Sequence, residues 1–164
     1  MSKALMGMIL IMVVLGLWTW CRKIETGCVD QTFALHLSEA EWRARLTPEA
    51  YRVLRDAGTE RPGTSPLEKE KRPGEFLCGG CGTVVFESVA KFDSGTGWPS
   101  FSQPASPQCV GLDKDYALLL PRTEVHCSRC GGHLGHVFSD GPREHGGQRY
   151  CINGSALNFQ AKEE

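Results

Sequence analysis

Residues 127–141 read CSRCGGHLGHVFSDG, opening with a C-x-x-C pair followed by glycine. The same arrangement stands upstream as Cys78-Gly79-Gly80-Cys81-Gly82. A C-x-x-C turn lets two thiolates point at one centre, and a glycine after it admits backbone conformations that a side chain would obstruct. Two such turns complete a tetrahedral four-sulfur shell, which suits Zn²⁺ and leaves no coordination position open. A metal held by Cys78, Cys81, Cys127 and Cys130 is therefore structural, and it supplies folding free energy that a small core lacks. The pairs could instead form disulfides, or one could be a thioredoxin-like redox motif, but that motif belongs with a βαβ pattern absent here. The gap of 45 residues between the pairs exceeds the roughly 15–20 of a simple zinc ribbon. A body of strands must then lie between the two turns, with the metal tying its ends together.

Outward from the cysteine pairs the chain reads as one domain of mainly β structure. Its 164 residues fit one domain of modest size, and 41% hydrophobic with 23% charged residues is globular composition. Nineteen glycines and nine prolines point to many turns and few long helices. A formal net charge of −1 gives no electrostatic case for nucleic acid. After Phe76 short β-type runs are broken by glycine, best at residues 83–86, 116–120, 123–126 and 149–152. Their spacing suits two small antiparallel sheets better than alternating βα units. Upstream, Ser38 with Glu41 forms a capping box ahead of Trp42 and Leu46. Thr47-Pro48 starts a second helix whose apolar face is Tyr51, Val53 and Leu54, with Gly58 as its stop. Both helices are expected to pack as a layer over the core, and residues 61–74 read as loop.

Residues 4–20 (ALMGMILIMVVLGLWTW) are uncharged and almost wholly apolar, at the short end of a bilayer-spanning helix. Lys3 precedes them, Arg22 and Lys23 follow, and Trp18 and Trp20 stand where an interfacial belt would lie. A cleavable signal is the competing reading, but no small-residue site precedes Cys21. Residues 1–23 are read as a membrane anchor or signal segment and 24–36 as a linker. The domain of residues 37–160 is expected on the extracytoplasmic side.

Cys151 lies in QRYCING, where alternation along a strand puts Arg149, Cys151 and Asn153 on one face and Tyr150 and Ile152 on the other. A cation, a thiol and an amide make an odd face to bury. A nearby guanidinium favours the nucleophilic thiolate, although an inert buried cysteine fits the same residues. His133, His136 and Asp140 could act as acid, base and orienting carboxylate, or as ligands or surface groups. In GTGWPSF, residues 95–101, glycines flank a Trp-Pro pair that could present the Trp98 indole to a ligand; Trp98 and Phe101 could equally be core aromatics.

Taken together, CGGCG, KFDSGTGWPSF, CSRCGGHLGHVFSDGP and RYCINGSALNF resemble the B-type methionine sulfoxide reductases, and EAEWRARLTPEAYRVLRDAGTERP is similar to the family's opening. The likeness runs from about Leu37 to Phe159. It implies a two-sheet, barrel-like, mostly antiparallel domain pinned by one zinc on Cys78, Cys81, Cys127 and Cys130. It implies Cys151 as a nucleophile that takes the sulfoxide oxygen and becomes a sulfenic acid. Trp98 and Phe138 would contact the substrate, and His136 would help protonate the sulfoxide oxygen. His133 and Asn153 would order water and substrate, with Asp140 and Arg149 holding the polar network. The implied partners are oxidised proteins or peptides carrying methionine-R-sulfoxide and a thioredoxin-like or other thiol reductant. The chain departs from the pattern at Thr96, where many members carry a resolving cysteine in GCGWPSF. Either an external thiol reduces the sulfenic acid directly, or Cys109 or Cys28 resolves it.

Overall fold

The computed structural model describes residues 33–117 and 120–163. The anchor reading of residues 1–23, most of the 24–36 linker, Cys21 and Cys28 lie outside them. Among the described residues no helix is long and apolar enough to cross a membrane. The last linker residues pack on the domain: the Phe33 ring meets His126 edge-on at 5.6 Å, and Leu35 N donates to Arg129 O at 2.9 Å.

Helix α1 (Glu39–Arg45) starts where the capping box predicts. Glu41 N donates to Ser38 Oγ at 3.4 Å, and Ser38 N donates back to the Glu41 carboxylate at 2.8 Å. Helix α2 (Pro48–Leu54) is capped by Thr47, whose Oγ1 accepts from Ala50 N at 3.1 Å. The buried Trp42, Tyr51, Val53 and Leu54 form the predicted layer. The stop differs from expectation. Helix α2 ends at Leu54, four residues before Gly58, and the left-handed residue is Ala57 at φ 50°. Arg55 turns away because its Nη1 donates to Cys130 O at 3.1 Å while its guanidinium lies 4.9 Å from the Trp42 ring centre. Gly58 then folds back so closely on Arg52 O that a Cβ there would lie 2.7 Å from it.

Among the described residues nine strands follow: β1 (Gly74–Cys78), β2 (Val84–Glu87), β3 (Lys91–Phe92), β4 (Ser100–Phe101), β5 (Val110–Asp115), β6 (Arg122–Cys127), β7 (His133–Phe138), β8 (Arg149–Ile152) and β9 (Leu157–Ala161). They form the two expected antiparallel sheets, one ordered β2-β1-β9 and the other β3-β4-β8-β7-β6-β5. The Phe86 and Phe101 rings stack at 4.4 Å, and Phe76 meets Phe101 edge-on at 4.9 Å, joining strands of both sheets into one core. The strand expected at residues 116–120 is a correction: the strand is β5, which ends at Asp115. The Asp115 carboxylate accepts from Ala117 N at 2.8 Å and from Arg122 Nη2 at 2.6 Å, which turns the chain there. Tyr116 and Leu120 are exposed, so neither stands in a buried strand.

Candidate active site

The two C-x-x-C turns are built alike. Cys78 N donates to Thr83 O and Gly82 N to Cys78 O, both at 2.8 Å; Cys127 N donates to Gly132 O at 2.9 Å and Gly131 N to Cys127 O at 2.8 Å. Gly82 and Gly131 take φ values of 75° and 66°, the left-handed backbone that the glycine after each pair was expected to supply. The first turn leaves β1 and the second leaves β6, so the four sulfurs join the two sheets. They are buried and lie within 4.8 Å of one another, with Cys78 to Cys130 at 3.7 Å and Cys81 to Cys127 at 3.5 Å. Hydrogen bonds among the four sulfurs push the Cys78 and Cys130 thiols up and the Cys81 and Cys127 thiols down, so that some ionise at the expense of the others. Four such thiols ionise together only around a cation, and the cluster could hold one metal ion.

Sheet register builds a second, separate site. Cys151 on β8 pairs with Ser100 on β4 and with His136 on β7; His136 in turn pairs with Glu124 on β6. Directly paired residues share a face, so hydroxyl, thiol, imidazole and carboxylate stand in one row across four strands. One step along, Phe138 pairs with Arg149, whose guanidinium lies 4.6 Å from the Phe138 ring centre. Strict alternation would put His133 on the opposite face from His136. A register shift between Val125 and His126 turns it back, and the two imidazoles meet at 5.3 Å.

The polar groups of this row are held from behind. Arg149 Nε and Nη2 both donate to the Asp140 carboxylate at 2.9 Å, which raises the guanidinium and lowers the carboxyl. His136 Nε2 lies 2.8 Å from Asp115 Oδ2, and His133 Nδ1 lies 2.6 Å from Glu124 Oε1. An ionised carboxylate only accepts, so those ring nitrogens carry the protons, and a neutral His136 keeps its lone pair at Nδ1. Burial lowers the His136 pKa despite the pull of Asp115, so the ring is neutral near pH 7. Burial raises the Cys151 pKa and outweighs the opposing effects of Thr96 and Arg149. The guanidinium favours the thiolate as expected, yet the resting group is a thiol.

A cavity of about 120 Å³ opens over the row, lined by Thr59, Trp98, Arg122, His136, Phe138, Cys151 and Asn153 with the backbone of Gly135. Trp98 is aimed by its own indole N–H, which donates to Glu60 O at 3.2 Å. Gly97 makes this possible at φ 86°, where a Cβ would lie 2.8 Å from Pro62 Cβ. Asn153 is a brace: its Nδ2 donates to Leu134 O at 3.0 Å, and its Oδ1 accepts from Glu60 N at 2.9 Å. Glu60 itself is buried and accepts from the backbone N–H groups of Gly154 and Ser155 at 2.6 and 2.8 Å.

Cys151, His136, Trp98, Phe138 and Asn153 therefore meet at one cavity, and Arg149, Asp140 and His133 stand around it. Cys109 does not join them. It is buried, with its Sγ donating to Ser106 O at 3.0 Å and lying 3.4 Å from Val85 O, among the groups that pack on the Tyr150 side of β8. No sequence motif singled out Arg122, Asp115, Glu124 or Glu60. Arg122 lines the cavity with a buried Nε that has no hydrogen-bond partner among the described residues. Its only sequence signal is its place at the head of a strand one hairpin from the histidines.

Fold and site define a class: a β-domain joined by a four-cysteine cluster, with a separate strand thiol in a small aromatic cavity. The SelR domain matches residues 46–161. Proteins named peptide methionine sulfoxide reductase MsrB are similar at 53% identity in Leifsonia xyli (77% of this chain, 91% of that one) and 49% in Leptospira interrogans (78% and 97%). The Methanosarcina barkeri protein of the same name is 52% identical over 80% of this chain and 92% of its own. The chain belongs to the SelR domain family of MsrB-type peptide methionine sulfoxide reductases.

Proposed function

We infer that this protein reduces methionine-R-sulfoxide in proteins or peptides to methionine, repairing oxidative damage, with Cys151 as the nucleophile. One observation carries the assignment of the thiol. Of the six described cysteines, four are clustered and Cys109 is buried, whereas Cys151 alone lines the cavity beside Trp98 and His136. The Trp98 and Phe138 rings suit the substrate's methyl and side-chain carbons. His136 Nδ1 takes the Cys151 proton and delivers it to the sulfoxide oxygen as sulfur attacks sulfur. The S–O bond of the substrate breaks, Cys151 gains the oxygen as a sulfenic acid, and methionine leaves two electrons richer. Two equivalents of an external thiol, of thioredoxin type, then return Cys151 to the thiol with one water and one disulfide formed. The seating of Cys109 supports direct reduction by that external thiol.

Zinc is the metal we assign to the four cysteines. Zn–S bonds of about 2.3 Å imply tetrahedral sulfur–sulfur edges of about 3.8 Å, close to the 3.5 and 3.7 Å of the paired sulfurs. Such a closed ion joins the sheets and takes no part in the reaction. The apolar residues 4–20 support a membrane tether, with residues 37–160 as an extracytoplasmic reductase domain; a C-terminal reporter tests the side. The activity is tested with purified protein and dithiothreitol on each sulfoxide epimer separately. The R epimer is consumed; turnover of the S epimer alone, or of neither, overturns the reading.

A further inference from the structure

On its β4 side, away from the residues that line the cavity, Cys151 faces a row made only of hydroxyls. Thr96 Oγ1 lies 3.9 Å from Cys151 Sγ, Ser94 Oγ lies 2.8 Å from Thr96 Oγ1, and Ser100 Oγ lies 2.7 Å from Ser94 Oγ. The buried Ser100 ends the chain by donating to Trp98 O at 3.2 Å. Each hydroxyl has a single hydrogen to give. With Ser100 donating to Trp98 O, Ser94 donates to Ser100 and Thr96 donates to Ser94. Thr96 is then left as an acceptor for the Cys151 S–H. No base stands at the far end, so the chain is not a proton outlet. It can reverse instead: when Cys151 loses its proton, all three hydroxyls turn and Thr96 donates to sulfur. The longest bond of the hydroxyl segment, Ser100 to Trp98 O, is the one given up.

We propose that Thr96, backed by Ser94 and Ser100, is a switchable hydrogen-bond donor that stabilises the anionic form of Cys151, so that this position supports the nucleophile without resolving it. The proposal rests on Cys151 being the nucleophile. The other charged or titratable groups around this sulfur are Arg149 on its own strand with its partner Asp140, His136 on β7 with Asp115, and Arg122 on β6. Arg149 favours the thiolate and Asp140 opposes it. His136, neutral and held by Asp115, leaves the hydroxyl chain as the uncharged donor set on the opposite side. A charge-assisted bond shortens and strengthens relative to its neutral counterpart, which makes a donor of this kind count most in the thiolate.

The test is the pH dependence of iodoacetamide alkylation of Cys151 in the zinc-loaded full chain, read by mass spectrometry of the peptide containing it. The variants are Thr96→Val, which keeps the shape, and Thr96→Ser, which keeps the hydroxyl; thermal melts confirm that both fold. Thr96→Val is expected to move the alkylation midpoint up by about one pH unit, roughly a tenfold slower reaction at pH 7. Thr96→Ser is expected to follow the parent profile, and Ser94→Ala to move it part of the way. A Thr96→Val profile that superimposes on the parent, or a Thr96→Ser profile as displaced as that of valine, overturns the proposal. Alkylation reads the sulfur alone and the epimer assay reads the reaction. Parent turnover of the R epimer with no shift in Thr96→Val sinks the donor role only. A shift without turnover by the parent sinks the reductase reading only.

Discussion

In the proposed reaction the chemistry falls on single atoms of Cys151 and the groups around it. Replacing its sulfur by oxygen in Cys151→Ser leaves the β8 pairings and the four-cysteine cluster untouched. That variant is expected to lose on the order of a thousandfold or more in turnover while keeping its bound metal and its circular dichroism; an active Cys151→Ser protein would refute the assigned role. At the same scale, sequence and structure diverge on protonation. Arg149 beside Cys151 is legible as a strand alternation, and it does favour the thiolate. Burial, which no local pattern reports, decides the resting state the other way. Alkylation of Cys151 in the parent protein should therefore have its midpoint above that of an ordinary exposed cysteine.

At the level of elements, the strands deliver the site through register. Gly135 lies on β7 where a Cβ would sit 2.1 Å from Cys151 O and 3.0 Å from Ile152 Cα, both backbone. Backbone in mid-sheet cannot yield as a flexible side chain can. Gly135→Ala is expected to destabilise the fold by about 1–3 kcal/mol and to lower activity by displacing β8, measured by urea midpoint and turnover together. Helix α2 offers a contrast, since its start is set by local chemistry. Thr47→Ala should cost about 1 kcal/mol through the lost Ala50 N–H cap and leave turnover per folded molecule unchanged, because α2 packs on the core and supplies no residue to the cavity lining. Both capping signals and strands β6 and β8 were readable from the sequence, as hydroxyl caps and period-two alternation act within a few residues. The end of β5 was not. The apolar run at 116–120 reads as a strand, but Asp115 closes a turn with Ala117 and Arg122, seven residues on.

On the scale of the whole molecule, the four-cysteine cluster ties β1 of one sheet to β6 of the other. Metal binding at such sites is worth on the order of 10 kcal/mol, comparable with the whole stability of about 5–15 kcal/mol typical of a domain. A strong chelator, or Cys78→Ser, is expected to unfold the protein or lower its melting temperature severely; an unchanged melt with metal removed would count against the knuckles as the structural tie. Stability should also fall on both sides of neutrality. His136 has a lowered folded pKa, so the unfolded chain takes up its proton first and stability drops below about pH 6.5. Asp115, Glu124 and Asp140 are lowered too, so their contribution, present above about pH 4.5, is lost as pH falls further. Cys151 is raised, so its preference for the thiol is lost to the unfolded state as pH rises above about 9. A pH series of urea midpoints reads all three, and a flat profile between pH 4 and 7 would refute the acid side.

By itself the sequence determined the ingredients that act locally: the two C-x-x-C-G turns, the helix caps, the alternation of Arg149 and Cys151, and the family resemblance those motifs carry. Spacing alone was enough because each depends on residues a few positions apart. Tertiary structure decided what depends on register and burial. It brought Ser100, Cys151, His136 and Glu124 into one row, turned His133 to the His136 side through a shift in pairing, and seated Cys109 away from the cavity. It also closed Glu60 and Asn153 over the Trp98 loop across more than 90 positions of sequence. Strand pairing and desolvation are set by partners far along the chain, and so they appear only once the sheets are assembled.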